Sequence, residues 1–483
     1  MDPFMSKKED SFVWPWCLAW AVLFLLTCLR TVLVMFHHVP LDVNEGWNAQ
    51  LASWTAGGDH QLYSSDRGFV FNNYPPLSFV LMGGLVRLGF DAIITGRILS
   101  CLSVLASAVL IVRIIQVVTG RLPVALATAS LFLVTANTAF QGYFGMNDPQ
   151  WLAQALMLGG LYVAVSRNVA DLTWRRLFLC AVLIVLGGFT KHNLVALPLA
   201  LSVWLLCIDL KKAVLWGMMA AGLLLVGFAS CYEVYGVSFF RDVFLHQRVI
   251  RLGRVIHGLR QLPLMGGMLL VGLGLFFRQW RSLKWQDPAC LVGLFLAFGC
   301  LFGCLESLGE GVDYNCMFDA FVAATLLCGI GLARLPEGPE QKQRFVRACC
   351  VMSLPLLFLL PLWGVTSYRQ VQTVSLKDRE WQTYIQALKM HSTSLLCTDM
   401  ALCYWANSRD AIDGFNLSQA LKKNQDIVAL RSVIAQHRFS LVQLYGTSAH
   451  YSSGNLTVDS WLAKAGYRPV MDNGELILLG YVH

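Results

Sequence analysis

Ten carboxylates sit between, or at the ends of, long apolar runs: Asp42, Glu45, Asp59, Asp66, Asp148, Glu233, Asp242, Glu306, Glu310 and Asp313. A carboxylate at a membrane surface is partly desolvated, which suits it to act as a general base toward a hydroxyl. In full water the same group is an ordinary loop charge. The segment Leu41-Asp42-Val43-Asn44-Glu45-Gly46-Trp47 holds two of them three residues apart. It reads either as an acidic helix start, capped by Asn44, or as a catalytic pair. Asp148 precedes Pro149, so it is either a helix-start residue or a second acidic group of the same site.

Cations complement these acids. Lys191-His192-Asn193 breaks a longer apolar run, and such breaks often line ligand sites, although a hairpin turn between two spans explains them too. Arg241, Arg248, Arg251, Arg254 and Arg260 crowd one segment with His246 and His257. The three-residue spacing of Arg248, Arg251 and Arg254 predicts one basic helical face. Such a face at a membrane holds a phosphate, either that of a bound lipid substrate or those of anionic headgroups in general. Asn73 and Tyr74 lead into Pro75-Pro76-Leu77, where tandem prolines fix the chain direction.

The elements that must position these groups are membrane helices. Hydrophobic residues make up 56% of the 483-residue chain and charged residues 14%, against roughly 25% charged in soluble domains. That composition excludes a soluble enzyme, a disordered chain and a fibre. The net charge of +8 is too mild to point to nucleic acid. Apolar runs at 13–36, 97–118, 122–140, 150–166, 177–190, 193–209, 213–232, 262–278, 289–305, 316–334 and 347–365 predict about eleven spans. The stretch 75–90 is short and opens on two prolines, and reads as a surface helix. With Lys7 and Lys8 inside, Arg113, Arg121, Arg167, Arg175, Arg176, Lys211 and Lys212 fall in inside loops. So do Arg278, Arg281, Lys284, Lys342, Arg344 and Arg347, whereas 141–149 and 306–315 carry no Lys or Arg. Counting 75–90 as a span destroys this pattern. The acids and the arginine segment then share the outer face.

The expected organisation is a mostly α polytopic domain over 1–367, with outer-face juxtamembrane helices in a first outer loop at 37–96. A small extracytoplasmic α/β domain follows over 368–483. In it, SLLCTDMALCYWA, FSLVQLY and ELILLGYV read as strands, and KDREWQTYIQALKMH and NQDIVALRSVIAQ as helices. Cys397 and Cys403 are either a disulfide or two free thiols. The other cysteines, among them Cys17, Cys28, Cys101 and Cys180, lie in apolar runs without zinc spacing.

The layout, with Asp42/Glu45, Pro75-Pro76-Leu77, Arg97, Asp148, Lys191 and Gly311-Val312-Asp313-Tyr314-Asn315, resembles the C-type (GT-C) membrane glycosyltransferases. The likeness is to the branch with protein O-mannosyltransferases and lipid A aminoarabinose transferases, which use a polyprenyl-phosphate sugar donor. Two departures stand out. The family's adjacent Asp-Glu becomes Asn44-Glu45 with Asp42 two residues earlier, which leaves either carboxylate as the base, Asp42 being preferred and Glu45 orienting. The lysine that the aminoarabinose branch carries before Pro-Pro is Tyr74 here, which shifts the donor phosphate toward Lys191, His192 and the arginines.

The resemblance implies an inverting transfer of a sugar to a hydroxyl acceptor, a lipid or glycan rather than a protein, at a bacterial inner membrane. Asp148 would position the acceptor or help hold a divalent cation such as magnesium or manganese. Partners would be the lipid-linked donor, the acceptor and membrane lipids, with no nucleic acid. The competing class is a transporter or flippase of a lipid-linked or anionic substrate, but no inverted repeat is visible and the acids gather at one face.

Overall fold

The computed structural model describes residues 11–58, 61–63, 70–167, 171–245, 248–391, 394–408, 410–422, 428–445, 452–453, 456–472 and 476–481. Lys7, Lys8, Asp59, Asp66 and His246 lie outside the described residues. The first helices are α1 (Trp14–Val34), α2 (Val43–Ala56), α3 (Leu77–Arg87), α4 (Ala92–Thr119) and α5 (Leu122–Ala139). Then come α6 (Gln150–Val165), α7 (Trp174–Thr190), α8 (Ala196–Ile208), α9 (Leu210–Tyr235) and α10 (Val237–Phe244). The helical part closes with α11 (Val255–Leu259), α12 (Gly266–Gln279), α13 (Pro288–Glu306), α14 (Phe318–Ala333) and α15 (Gln341–Lys389).

By length and composition, 8 of the described helical stretches can cross a membrane. The shorter α6, α7 and α8 occupy the places of the remaining expected spans. Helix starts follow local chemistry. Asp91, Asp209 and Asp287 each accept a backbone N–H in the first turn of α4, α9 and α13, relieving donors that have no partner within the helix. Helix α4 stops at Gly120, whose φ of 75° suits a residue without a Cβ. The bundle packs around α14, every residue of which is buried. Phe321 stacks on Phe132, and Phe318 meets Phe140, Tyr143 and Trp151.

Helix α3 has 11 residues, about 17 Å, too short to cross a bilayer. Its last residue, Arg87, donates to the carbonyls of Ala56 (2.6 Å) and Thr55 (3.0 Å), so α3 is bound to the end of α2.

Helix α15 runs unbroken for 49 residues, roughly 74 Å, through Pro355 and Pro361. The 367/368 boundary falls inside it, because KDREWQTYIQALKMH continues the last span instead of opening a separate unit. Beyond it lie β1 (Leu395–Cys397), α16 (Met400–Trp405), α17 (Gly414–Lys422), α18 (Val428–Ala435), β2 (Leu441–Tyr445), β3 (Ser452–Ser453) and β4 (Leu456–Thr457). The chain ends with α19 (Val458–Lys464), β5 (Tyr467–Asp472) and β6 (Leu476–Tyr481). The main sheet has the order β1-β2-β6-β5, parallel only between β1 and β2. The stretch SLLCTDMALCYWA is a strand only at Leu395–Cys397. Asp399 then caps α16 by accepting from Ala401 and Leu402, which turns the second half helical. Cys397 and Cys403 form a disulfide, with Cα atoms 5.7 Å apart.

The C-terminal unit sits directly on α2. A Cβ on Gly46 would collide with the backbone of Met400 and Ala401, so only glycine permits this approach. The acidic loop before α2 and the C-terminal unit are therefore on the same side of the bundle.

Candidate active site

Glu45 is fully buried, as is Arg97 of α4. Glu45 Oε1 accepts from Arg97 Nε (2.8 Å) and the Asn147 N–H (3.0 Å), and Oε2 accepts from Arg97 Nη2 (2.6 Å) and the Leu41 N–H (2.7 Å). The remaining guanidinium protons go to the carbonyls of Met35 (2.9 Å), His37 (2.9 Å) and Val39 (2.7 Å). Every donor of Arg97 is used, and both Glu45 oxygens are occupied. This is a clamp that fixes the segment entering α2 against the segment before α6. Gly96 lets Asn147 lie against α4, and the Asn147 amide donates back to the Glu45 carbonyl (3.2 Å) and accompanies Asn48.

The clamp presents Asp42, which is the N-cap of α2 in place of the expected Asn44. Its Oδ1 accepts the Asn44 N–H (2.9 Å), and the side chain is half-buried. Burial pushes the Asp42 carboxyl above the usual range. The Asn44 N–H pulls it down, and the nearby charges of Asp313, Glu45 and Asp148 push it up again. Asp313 and Asp148 therefore lie near enough for their charges to reach Asp42.

Asp148 Oδ1 accepts from Lys191 Nζ (2.9 Å) and the Gln150 N–H (2.8 Å), while its buried Oδ2 has no partner among the described residues. Lys191 is buried in the turn between α7 and α8, and its ammonium lies 4.7 Å from the centre of the Tyr74 ring. Burial alone would drive Lys191 down, but Asp148 and Tyr74 outweigh it and hold the ammonium above its ordinary value. Tyr74 is in turn fixed by Trp47, edge-on at 5.0 Å, and by its carbonyl accepting from Tyr63 (2.6 Å). His192 and Asn73 are half-buried beside these groups in sequence, and Asn193 donates to Glu306 (2.9 Å). The charges of both Lys191 and Arg248 act on Glu306, so Arg248 belongs to the same neighbourhood.

The arginines do not form the expected helical face. Residues 248–250 are not helical, with Ile250 bridged to Gly309 and the Val249 N–H donating to Gln419, and a short 3-10 turn spans Leu252–Arg254. The segment is held by partners far along the chain, which override the three-residue spacing. Arg254 donates to the carbonyls of Ser307, Gly309 and Val312. Arg251 pairs with Glu310 (2.7 Å), which also accepts from Lys422 (2.8 Å) and Gln419 (2.7 Å) of α17. Hydrogen bonds from Lys422 and Gln419 hold the Glu310 carboxyl below its usual range. Arg254 and Arg251 thus tie the 306–312 loop to the bundle and to the C-terminal unit. Glu233 is exposed and Asp242 pairs with its neighbour Arg241 (3.0 Å), so neither joins the acids around Asp42. Among the described residues, no group of three or more His, Cys, Asp or Glu side chains is arranged to hold a metal.

Sequence reasoning missed the depth of the Glu45–Arg97 pair and the part of Asn147. The available signal was an arginine inside an apolar run, a position that demands a buried partner.

The described residues form a multi-helix bundle, a first connecting segment of two short helices around a carboxylate, and a small α/β unit packed on that segment. No family model and no curated protein matches the chain. Solved structures do, among them two of ArnT from Cupriavidus metallidurans. The apo state is 14% identical, with a TM-score of 0.62, over 96% of this chain and 98% of that one. The state bound to undecaprenyl phosphate is 13% identical, with a TM-score of 0.58 and the same coverage. At these identities the likeness is one of fold.

Proposed function

We propose that this chain is an inverting glycosyltransferase that moves a sugar from a polyprenyl-phosphate donor to a hydroxyl of a lipid or glycan acceptor. The reaction would take place at the outer face of a bacterial inner membrane and feed a cell-envelope glycan. The observation that carries the reading is Asp42. It is a half-buried carboxyl with a raised pKa, one oxygen engaged by the Asn44 N–H, held by a rigid clamp beside Asp148 and Asp313. The ArnT fold, known with undecaprenyl phosphate bound, supports a lipid-linked donor. The Cys397–Cys403 disulfide supports an oxidising, extracytoplasmic setting for the C-terminal unit.

In this mechanism the second oxygen of Asp42 takes the proton of the acceptor hydroxyl. The hydroxyl oxygen attacks the anomeric carbon from the face opposite the lipid phosphate, and the bond from that carbon to the phosphate oxygen breaks. The electron pair leaves with the phosphate, and the configuration inverts. Lys191 and Arg248 would stabilise the departing charge. Lys191 does so from a fixed position, because Asp148 and Tyr74 hold it. Asp148 keeps one oxygen for positioning substrate. Glu45 and Arg97 position Asp42 and touch no reacting atom.

The test uses purified protein in lipid nanodiscs with a panel of undecaprenyl-phosphate sugars, measuring release of undecaprenyl phosphate. Wild type releases it in the presence of acceptor, and Asp42→Asn does not. Full activity in Asp42→Asn, or no release from any donor, would overturn the assignment.

A further inference from the structure

A cavity of about 660 Å³ opens where α2, α15 and α16 meet, on the C-terminal side of the loop that carries Asp42. That size lies within the range of small-molecule sites. Its walls include the rings of Trp54 and Trp405, and the side-chain amides of Gln50, Gln382, Gln386 and Asn407 stand among hydroxyl, imidazole and charged groups. Gln50 is only 1% exposed, and its Oε1 has no hydrogen-bond partner among the described residues, although its Nε2 donates to the Ser408 carbonyl (2.9 Å).

The wall is built rather than incidental. Trp405 donates to Asp91 (2.9 Å) and meets His38 edge-on at 5.2 Å, so its ring is fixed. The Tyr404 hydroxyl accepts the Ala92 N–H (2.7 Å). Asn407 closes α16 at φ 57°, with its N–H bonded to the Tyr404 carbonyl and that of Ser408 to the Cys403 carbonyl. This left-handed cap suits asparagine and sets the side chain at the rim.

We infer that this cavity binds an uncharged saccharide, and that it holds the glycan of the acceptor. Rings supply surfaces for the C–H faces of a sugar, and planar amides both donate and accept toward hydroxyls. An anion would meet the Asp91 carboxylate, and the wall offers it one lysine, Lys389, and the His38 imidazole. A wholly apolar ligand would leave the amides unmatched. A peptide has no sheet edge to pair with, because the walls are helices and their ends. Gln50 lies eight residues beyond Asp42 along α2, about 12 Å, so a short oligosaccharide seated there reaches toward the carboxylate. The acceptor role rests on the proposed transferase reading; the binding does not.

The test is ligand-observed NMR with titration calorimetry on the full chain in nanodiscs, which avoids maltoside detergent. Maltose and chitobiose are the probes, and trialanine is the comparator. One or both disaccharides bind saturably in the millimolar range, and trialanine does not. The double variant Gln382→Ala/Gln386→Ala, at exposed positions of α15, weakens binding at least about tenfold with an unchanged melting temperature. Asp42→Asn binds like wild type. No saturable binding of either disaccharide, equal binding of trialanine, or wild-type affinity in the double variant would overturn the inference. Retained saccharide binding in a protein that releases no lipid phosphate would overturn the transferase reading instead.

Discussion

Glu45→Gln and Asp42→Asn remove carboxylates three residues apart, yet the structure assigns them opposite consequences. Glu45 receives two guanidinium and two backbone donors with no solvent access. In Glu45→Gln one oxygen becomes an NH2 that faces the donors of Arg97 and Leu41. The Arg97 charge stays buried without its counter-ion, since the carbonyls of Met35, His37 and Val39 carry only partial charge. Removing one partner of a buried pair costs about 3–5 kcal/mol, a factor of more than 100 in the folded population. Asp42→Asn loses far less, because Asp42 is half-buried and an asparagine also caps a helix. Its raised carboxyl means that ionisation is disfavoured in the fold. The expected result is a marked loss of thermal stability and yield for Glu45→Gln, measured by size-exclusion fluorescence after heating. Asp42→Asn keeps wild-type stability and loses transfer. In a double-mutant cycle, Glu45→Gln and Arg97→Met couple by about 2 kcal/mol or more. A Glu45→Gln protein as stable as wild type, or additive losses in the cycle, would refute the clamp.

Three further outcomes follow from the same geometry. Because the Asp42 carboxyl is raised, transfer falls as pH drops through a midpoint above the roughly 3.9 of a free aspartate. The stability this carboxyl contributes is full below its free value and is lost as pH rises through the raised one, so Asp42→Asn removes that loss from the acidic part of a pH–stability curve. Gly46→Val forces the Met400–Ala401 backbone away and exposes the C-terminal unit to limited proteolysis while the bundle stays folded; a wild-type digestion pattern contradicts that. Cys397→Ala/Cys403→Ala opens a loop closed over a separation of 6 residues and costs about 2 kcal/mol, read as a lower melting temperature, with reductant giving no further loss.

Membrane character and the order of the helices were legible in the chain, because a bilayer leaves a segment few options besides a long apolar helix. The short helix at Leu77–Arg87 was legible for a similar reason, since tandem prolines and short length are local properties. So was the acidic start of α2, although Asp42 rather than Asn44 turned out to cap it. Local information failed at the arginines, where the pairing of Ile250 with Gly309, distant in sequence, replaced the helix suggested by spacing. It failed again at α15, which runs through two prolines into the C-terminal unit. Above all, sequence preferred Asp42 to Glu45 as the base without showing how either carboxylate is held. Both are acidic, both lie at one helix start, and only the arrival of Arg97 and Asn147 from elsewhere buries Glu45 and leaves Asp42 at the surface of the site. Residue type sets what a group can do, but burial and partners, which depend on contacts between distant segments, decide which group is free to do it.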